Sequence, residues 1–348
     1  MPLTGVAGTA EVAARGKLAA VRAGYYSDPY AECFVTGECT RPGPLINRGH
    51  HLRVAVIQSV VSQFLDAVGP REAQIISLGA GFDTRFWTLS ADADSRPRRY
   101  IELDQAEVVE RKAALIAARP SLLAALPEGS RCVGPSGVAS RCGYHLAAAD
   151  VRQPAELEAA LSAAGWEPAA PTLVLAECCL VYLPAPASAA LLAWFASRSR
   201  CAAFLAYEQI RPDDAFGRTM LENLRRRGIP LLGLRDCPDL AAQVARCEAA
   251  GWGRAEAEDL LQLYGRAVTA RERARLARLE RLDEVEEWQL MLSHYCAALA
   301  VCEDPSSSLL ARLRLLHPIG AEAAADTAEE GEASRGSGRR APGARVCE

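Results

Sequence analysis

"IISLGAGFDTRFWTL", Ile75 to Leu89, is the stretch that decides the fold. An apolar run, Ile75 to Leu78, meets two glycines, Gly79 and Gly81, and then an acid, Asp83. Such a run reads as a buried strand ending in a tight turn, where something must approach the backbone closely. The dinucleotide fingerprint G-x-G-x-x-G requires a third glycine at position 84, where Thr84 stands. No Gly-Lys-Ser/Thr follows either, so both phosphate-cradling motifs fit poorly.

Outward from this strand the chain alternates. "HLRVAVIQSVVSQFLDAVG" before it reads as a buried helix ending at Gly69. After it come a strand in "RRYIELD", a helix in "QAEVVERKAALIAAR" stopped by Pro120, and a strand in "YHLAAADV". Then follow a helix in "AELEAALSAAGW", a continuous apolar strand in "PTLVLAECCLVYL", a helix in "SAALLAWFASRS" and a strand in "CAAFLAYEQI". Strands that are apolar throughout, alternating with helices, predict an α/β fold with a doubly wound, Rossmann-like parallel sheet. After Ile210 the rhythm breaks. Amphipathic helices and a charged helix from about 270 to 287 predict a helical lid or substrate insertion over about 211–287, and "SHYCAALAV" a last strand. Residues 1–16 are expected to be a mobile N-terminus and 17–300 the domain. Residues 301–348 are expected to be a divergent, largely disordered tail, almost free of large apolar residues from about 321.

Composition narrows the function classes. Half the residues are hydrophobic, enough for a sizeable core. A formal net charge of −4, with acids and bases mixed, argues against nucleic acid as a partner. The longest apolar region, Thr172 to Ala196, is interrupted by Glu177, Pro184 and Pro186, which argues against a membrane span. The twelve cysteines include no C-x-x-C pair, and no basic-then-apolar leader opens the chain. Reduced thiols in the cytosol are the expectation, with Cys178 and Cys179 as small core residues and no metal site.

Ligands of such sheets bind at the carboxyl ends of the strands. Here those ends carry Gly79 and Gly81, then Glu102 and Asp104, then Asp150, then Glu177. Carboxylates at successive strand ends repel phosphates and suit S-adenosyl-L-methionine. One can accept both ribose hydroxyls, one can meet the adenine amino group and one the ammonium. Taken singly, each acid also reads as a helix cap or an ion-pair partner.

The chain resembles the leucine carboxyl methyltransferase family over about Lys17 to Ala300. The segments that carry the likeness include "GYYSDPY", "INRGHHLRV", "LGAGFDTRFW", "IELD", "LAECCLVYL", "YEQI", "FGRTMLENLRRR" and "SHYC". The resemblance implies a class I methyltransferase that uses S-adenosyl-L-methionine and esterifies the C-terminal leucine of the protein phosphatase 2A catalytic subunit. It also implies a cytosolic enzyme, expected to be monomeric. Carried over residue by residue, it implies cofactor contacts at Lys17, Arg53, Gly79, Asp104, Asp150, Val151 and Glu177. The wider family includes enzymes of small molecules and a tRNA-modifying branch with an added propeller. A small acid, a tRNA, or a phosphatase-binding role without catalysis therefore stay open as rivals.

A C-terminal carboxylate has a pKa of about 3.3–3.7, so at neutral pH it needs no general base. His50, His51 and His294 are accordingly not nominated. What the reaction needs is orientation, and a guanidinium can grip a carboxylate through two parallel hydrogen bonds. Arg53 is the candidate for that catalytic part; an ion pair with Asp83 or Glu177 is its structural alternative. Lys17 is expected to close over the same group. Tyr26, Tyr182 and Tyr207 are candidate walls of the substrate pocket, with ordinary core packing an equal reading. Arg225 to Arg227 read either as a face for an acidic partner or as a solvated helix surface.

Overall fold

The structure, a computed structural model, describes residues 3–320 apart from positions 38, 40, 93, 127–130, 133–136, 140–142 and 305–306. The tail from about 321, expected to be disordered, lies outside the described residues. Among the described residues nine strands form one sheet in the order β3-β4-β5-β2-β1-β6-β7-β9-β8. They are β1 (Gln74–Leu78), β2 (Arg99–Asp104), β3 (Arg131–Cys132), β4 (Gly137–Ala139), β5 (Tyr144–Ala148), β6 (Thr172–Glu177), β7 (Cys201–Gln209), β8 (Arg254–Asp259) and β9 (Tyr295–Glu303). β5, β2, β1, β6 and β7 run parallel, as their continuous apolar character predicts. β9 runs antiparallel between β7 and β8.

Both faces of the sheet are covered. Ile75, Leu173, Leu175, Leu205 and Leu299 share a core with Val56, Val60 and Phe64 of α2 (Pro44–Val68). Ile76, Val174, Phe204 and Ala298, one residue out of step, pack with Leu157 and Leu161 of α6 (Pro154–Ala163) and Leu192 and Phe195 of α7 (Ala185–Arg198). This is the period-2 alternation of a strand buried on both sides. Each fully buried leucine or phenylalanine contributes about 1.5–3 kcal/mol to that core.

The structure departs from the sequence reading in several places. α1 (Thr9–Arg22) is formed and buries Ala14, Leu18, Ala19 and Ala20, where a mobile segment was expected as far as residue 16. Its small residues carry little periodic signal, but they let it lie close on α2. At the crossing, a Cβ on Gly16 would stand 2.0 Å from His50 Nε2. β6 stops at Glu177 instead of running through Tyr182, because Cys178 turns with φ 53° and Leu180–Tyr182 form a short 3-10 turn.

The stretch after Ile210 holds α8 (Ala215–Arg226), α9 (Leu240–Ala249), α10 (Leu260–Arg266), α11 (Ala270–Leu279) and α12 (Val285–Ser293), but β8 as well. "RAEAED" has no apolar alternation beyond alanine. As an edge strand it needs only Ala255 and Ala257 against the core, and charge on an edge protects it from pairing. Residues 304–320, expected to belong to the tail, bury Leu310, Leu313, Leu315 and Ile319 where they are described. Ile319 bridges to Val268.

Candidate functional site

Gly79 and Gly81 adopt φ 60° and 54°, left-handed values that disfavour a side chain. Space for one is also tight. A Cβ at Gly79 would meet Cys179 Sγ at 3.0 Å, and one at Gly81 would meet Ala10 of α1 at 3.3 Å. The turn is tied down from β2: Gly79 N donates to Leu103 O at 2.8 Å and Gly81 N to Asp104 Oδ2 at 2.6 Å. Its glycines thus make room for the β6 loop on one side and the N-terminal helix on the other.

Above this turn lies a cavity of about 930 Å³. It brings together Lys17, Arg53, Gly79, Asp104, Asp150, Val151, Glu177 and Tyr182. Tyr26 and Tyr207 do not line it. Tyr26 is turned away, its hydroxyl donating to Lys17 O at 3.2 Å. Tyr207 is buried beneath Arg53, whose guanidinium carbon stands 5.1 Å from the ring centroid. Both therefore act as supports for the wall.

The floor is an ion network. Arg53 Nε donates to Glu177 Oε1 at 2.5 Å, and Lys17 Nζ reaches the same oxygen at 2.8 Å. Arg85 pairs with Asp83 at 2.8 Å and approaches Glu177 Oε2 at 3.7 Å; Lys17 also lies 3.4 Å from Asp83. Burial works to raise Glu177, yet Arg53, Lys17 and Arg85 hold it well below the usual carboxylate range. Three cations thus face two carboxylates, which leaves one positive charge uncompensated by the network. Among the described residues the η nitrogens of Arg53 donate to no protein acceptor.

The other acids divide sharply. Asp104 Oδ2 accepts from Gly81 N and Oδ1 from Gln105 N at 2.7 Å, which leaves each oxygen a free lone pair toward the cavity. Burial pushes its pKa up. Glu102, two residues back on the same face of β2 but inside the sheet, is fully buried against Lys112 Nζ at 2.6 Å and Tyr144 Oη at 2.6 Å. It serves the core and does not reach the cavity. Asp150 sits at the rim in a bidentate pair with Arg152. His50 also lines the cavity; burial, helped by Arg53 and Lys17, brings it down to about 3, so its imidazole stays neutral. His294 is buried away from the cavity, its Nε2 at 2.9 Å from Asp214.

Sequence reasoning missed His50 and the α1 residues Thr9, Ala10 and Ala13 as part of this cavity, and Arg85 as a partner of Asp83 and Glu177 beneath it. Arg85 carried a signal, lying two residues after Asp83 in the quoted stretch. The α1 residues are small and carried none.

The family model for leucine carboxyl methyltransferase matches residues 6–196, more than half of the chain. The chain belongs to the leucine carboxyl methyltransferase family. It is similar to the leucine carboxyl methyltransferase 1 homolog of Arabidopsis thaliana, 39% identical over 296 residues, covering 85% of this chain and 89% of that one. It is similar to leucine carboxyl methyltransferase 1 of Bos taurus at 38% identity, covering 84% and 88%. It is also 37% identical to the tRNA wybutosine-synthesizing protein 4 of Homo sapiens, over 94% of this chain but only 49% of that protein. The enzyme is thus a methyltransferase with a Rossmann-like fold, and S-adenosyl-L-methionine is its methyl donor. Among the described residues no helix is long and apolar enough to cross a membrane.

Proposed function

We propose that the enzyme methyl-esterifies the C-terminal leucine carboxylate of the protein phosphatase 2A catalytic subunit in the cytosol, acting as a monomer and so regulating holoenzyme assembly. The observation that carries this reading is the uncompensated cation on the cavity floor. A site with Lys17, Arg53 and Arg85 against Asp83 and Glu177 is completed electrostatically by a carboxylate.

The same residues fit the methyl donor. Asp104 offers two oxygens with spare lone pairs to a ribose diol, Asp150 and Val151 of the cavity wall would meet the adenine, and Glu177 offers a carboxylate to an ammonium. Lys17 and Arg53 suit the donor's α-carboxylate. When bound, the donor supplies an electrophilic methyl group on a sulfonium.

The chain's own work is then orientation. The η edge of Arg53 presents two parallel N–H groups, matched to a carboxylate. Its orientation is fixed by Glu177 on one side and the Tyr207 ring beneath. Positioning of this kind can supply up to about 7–11 kcal/mol of a barrier. No proton has to be removed from an ionised carboxylate, and neutral His50, beside two cations, is poorly placed to take one. Leu224, Ile229, Pro230 and Leu232, from α8 and the loop after it, give the mouth an apolar side suited to a leucine side chain. Arg225, Arg226 and Arg227 lie exposed beside it, the first two partly offset by Glu222 at 3.1 and 3.0 Å. An acidic surface on the folded phosphatase would raise the effective concentration of its own tail there.

The likeness to a wybutosine-synthesizing protein favours a second reading, a methyl acceptor on tRNA. One experiment separates the two: transfer of radiolabelled methyl from the donor to purified phosphatase, to phosphatase lacking its terminal leucine, and to tRNA. Label only on the intact phosphatase supports the proposal. Label on tRNA, or on the truncated phosphatase, overturns it.

A further inference from the structure

We infer that Glu208 is a positioning residue: from beneath the site it holds the loop after β6 in a strained shape that turns Glu177 and Tyr182 toward one cavity. Glu208 lies near the end of β7 and is 1% exposed. Its carboxylate accepts from three successive backbone amides, Oε1 from Cys179 N at 3.3 Å and Leu180 N at 3.0 Å, and Oε2 from Val181 N at 2.8 Å. Consecutive amides converging on one anion form a nest, an arrangement that fixes backbone as effectively as a helix cap does. Proteins more often fill such a nest with a ligand anion; here a side chain of the neighbouring strand fills it.

The loop needs that restraint. Cys178, directly before the nest, has φ 53° and is one of only two non-glycine residues with positive φ among the described residues. A cysteine there costs energy that a glycine would not, and such strain persists only where the surroundings enforce it. Two ties do so: Cys178 N donates to Tyr207 O at 2.7 Å, and Glu208 grips the three amides that follow. Glu177, Cys178, Cys179 and Tyr182 all line the cavity, while Glu208 does not. It therefore acts through the loop. Burial pushes Glu208 up to about 7, while Arg246 and the three amides act to lower it.

The inference rests on reading the cavity as the methyl-donor site, and the test keeps the two apart. Binding of S-adenosylhomocysteine is measured by calorimetry for the wild type, Glu208→Gln, Cys178→Gly and the double variant. Amide hydrogen exchange at Cys179, Leu180 and Val181 is followed in the same proteins without ligand. Glutamine keeps one acceptor oxygen but turns an N–H₂ toward amide donors. Glu208→Gln is expected to bind about tenfold more weakly, the scale of one lost charge-assisted hydrogen bond, and to lose exchange protection at the three amides. Cys178→Gly removes the strain, so the double variant is expected to recover most of the affinity and part of the melting temperature lost in Glu208→Gln.

Unchanged exchange at the three amides in Glu208→Gln overturns the inference, as does a loss of affinity that Cys178→Gly fails to restore. A wild type that does not bind S-adenosylhomocysteine overturns the donor-site reading. In that event the exchange data still decide whether Glu208 holds the loop.

Discussion

Arg53 and Glu177, 124 residues apart in the chain, meet at 2.5 Å on the floor of the cavity. Arg53 comes from the middle of α2 and Glu177 is the last residue of β6. Burial opposes the charge of both, and each holds the other ionised: Arg53 stands well above its ordinary pKa and Glu177 well below. The pair is a base on which Lys17 and Arg85 converge.

Arg53→Lys keeps the charge and loses the planar fork. It is expected to lower methyl transfer and S-adenosylhomocysteine affinity by about 1.5–3 kcal/mol, the range of hydrogen bonds to charged groups. Arg53→Ala should be worse, since Glu177 then depends on Lys17 and a distant Arg85. Calorimetry and single-turnover assays check this. Wild-type affinity and rate in Arg53→Lys would remove Arg53 from the binding of any carboxylate.

Asp104→Ala is expected to weaken cofactor binding by roughly 1.5–3 kcal/mol, by losing the acceptor for the ribose and leaving the Gly81 amide unpaired. Asp104→Asn, which keeps one acceptor oxygen, should lie between. The structure rules out Glu102 as a substitute acceptor, because it is sealed against Lys112 and Tyr144. Full affinity in Asp104→Ala would therefore shift the ribose contact off β2 altogether.

Glu102 gives a pH signature. Burial raises it to about 7, against Lys112 and Tyr144, from 4.5 in an open chain. Between these values the folded state keeps the proton that the unfolded state releases. Stability attributable to this group is thus greatest below about pH 4.5 and falls as pH rises toward 7. The stability of the wild type relative to Glu102→Gln should drop between pH 5 and pH 7.5 in urea melts. A relative stability that stays flat over this range would mean that the carboxylate is ionised throughout.

Gly16→Ala tests the crossing of α1 and α2. Alanine gains about 1 kcal/mol in helix propensity. The new Cβ, at 2.0 Å from His50 Nε2, forces the helices apart or the imidazole out of its place. Overpacking costs about 1–3 kcal/mol, so a net loss of about 1 kcal/mol is expected. Because α1 walls the cavity, cofactor affinity should fall as well. A more stable variant with unchanged affinity would show that the contact yields freely.

The parallel sheet was legible in the sequence because strands buried on both faces must be apolar throughout, and the helices between them must be amphipathic. The strands read in "QIISLGAG", "RRYIELD" and "CAAFLAYEQI" became β1, β2 and β7 with small shifts at their ends, and the one read in "PTLVLAECCLVYL" became β6 but stopped at Glu177. The residues at their carboxyl ends followed, since a strand's end is fixed once the strand is. Gly79, Asp104, Asp150 and Glu177 therefore line one cavity as the topology requires.

What the sequence left open was decided by contacts between distant segments. β8 is too polar to announce itself, and it exists because β9 offers it six partners, from Val301 opposite Arg254 to Cys296 opposite Asp259. α1 holds its place by close approach of small residues, which leaves no hydrophobic period to read. The role of Glu102 was set by its depth in the sheet: two residues before Asp104 and on the same face, it lies inside against Lys112, while Asp104 ends the strand and opens to the cavity. Which carboxylate pairs with which cation depends on distances of a few ångströms among Lys17, Arg53, Asp83, Arg85 and Glu177. Electrostatic energy falls with separation in space and carries no record of separation in sequence, so only the tertiary structure could assign these pairs.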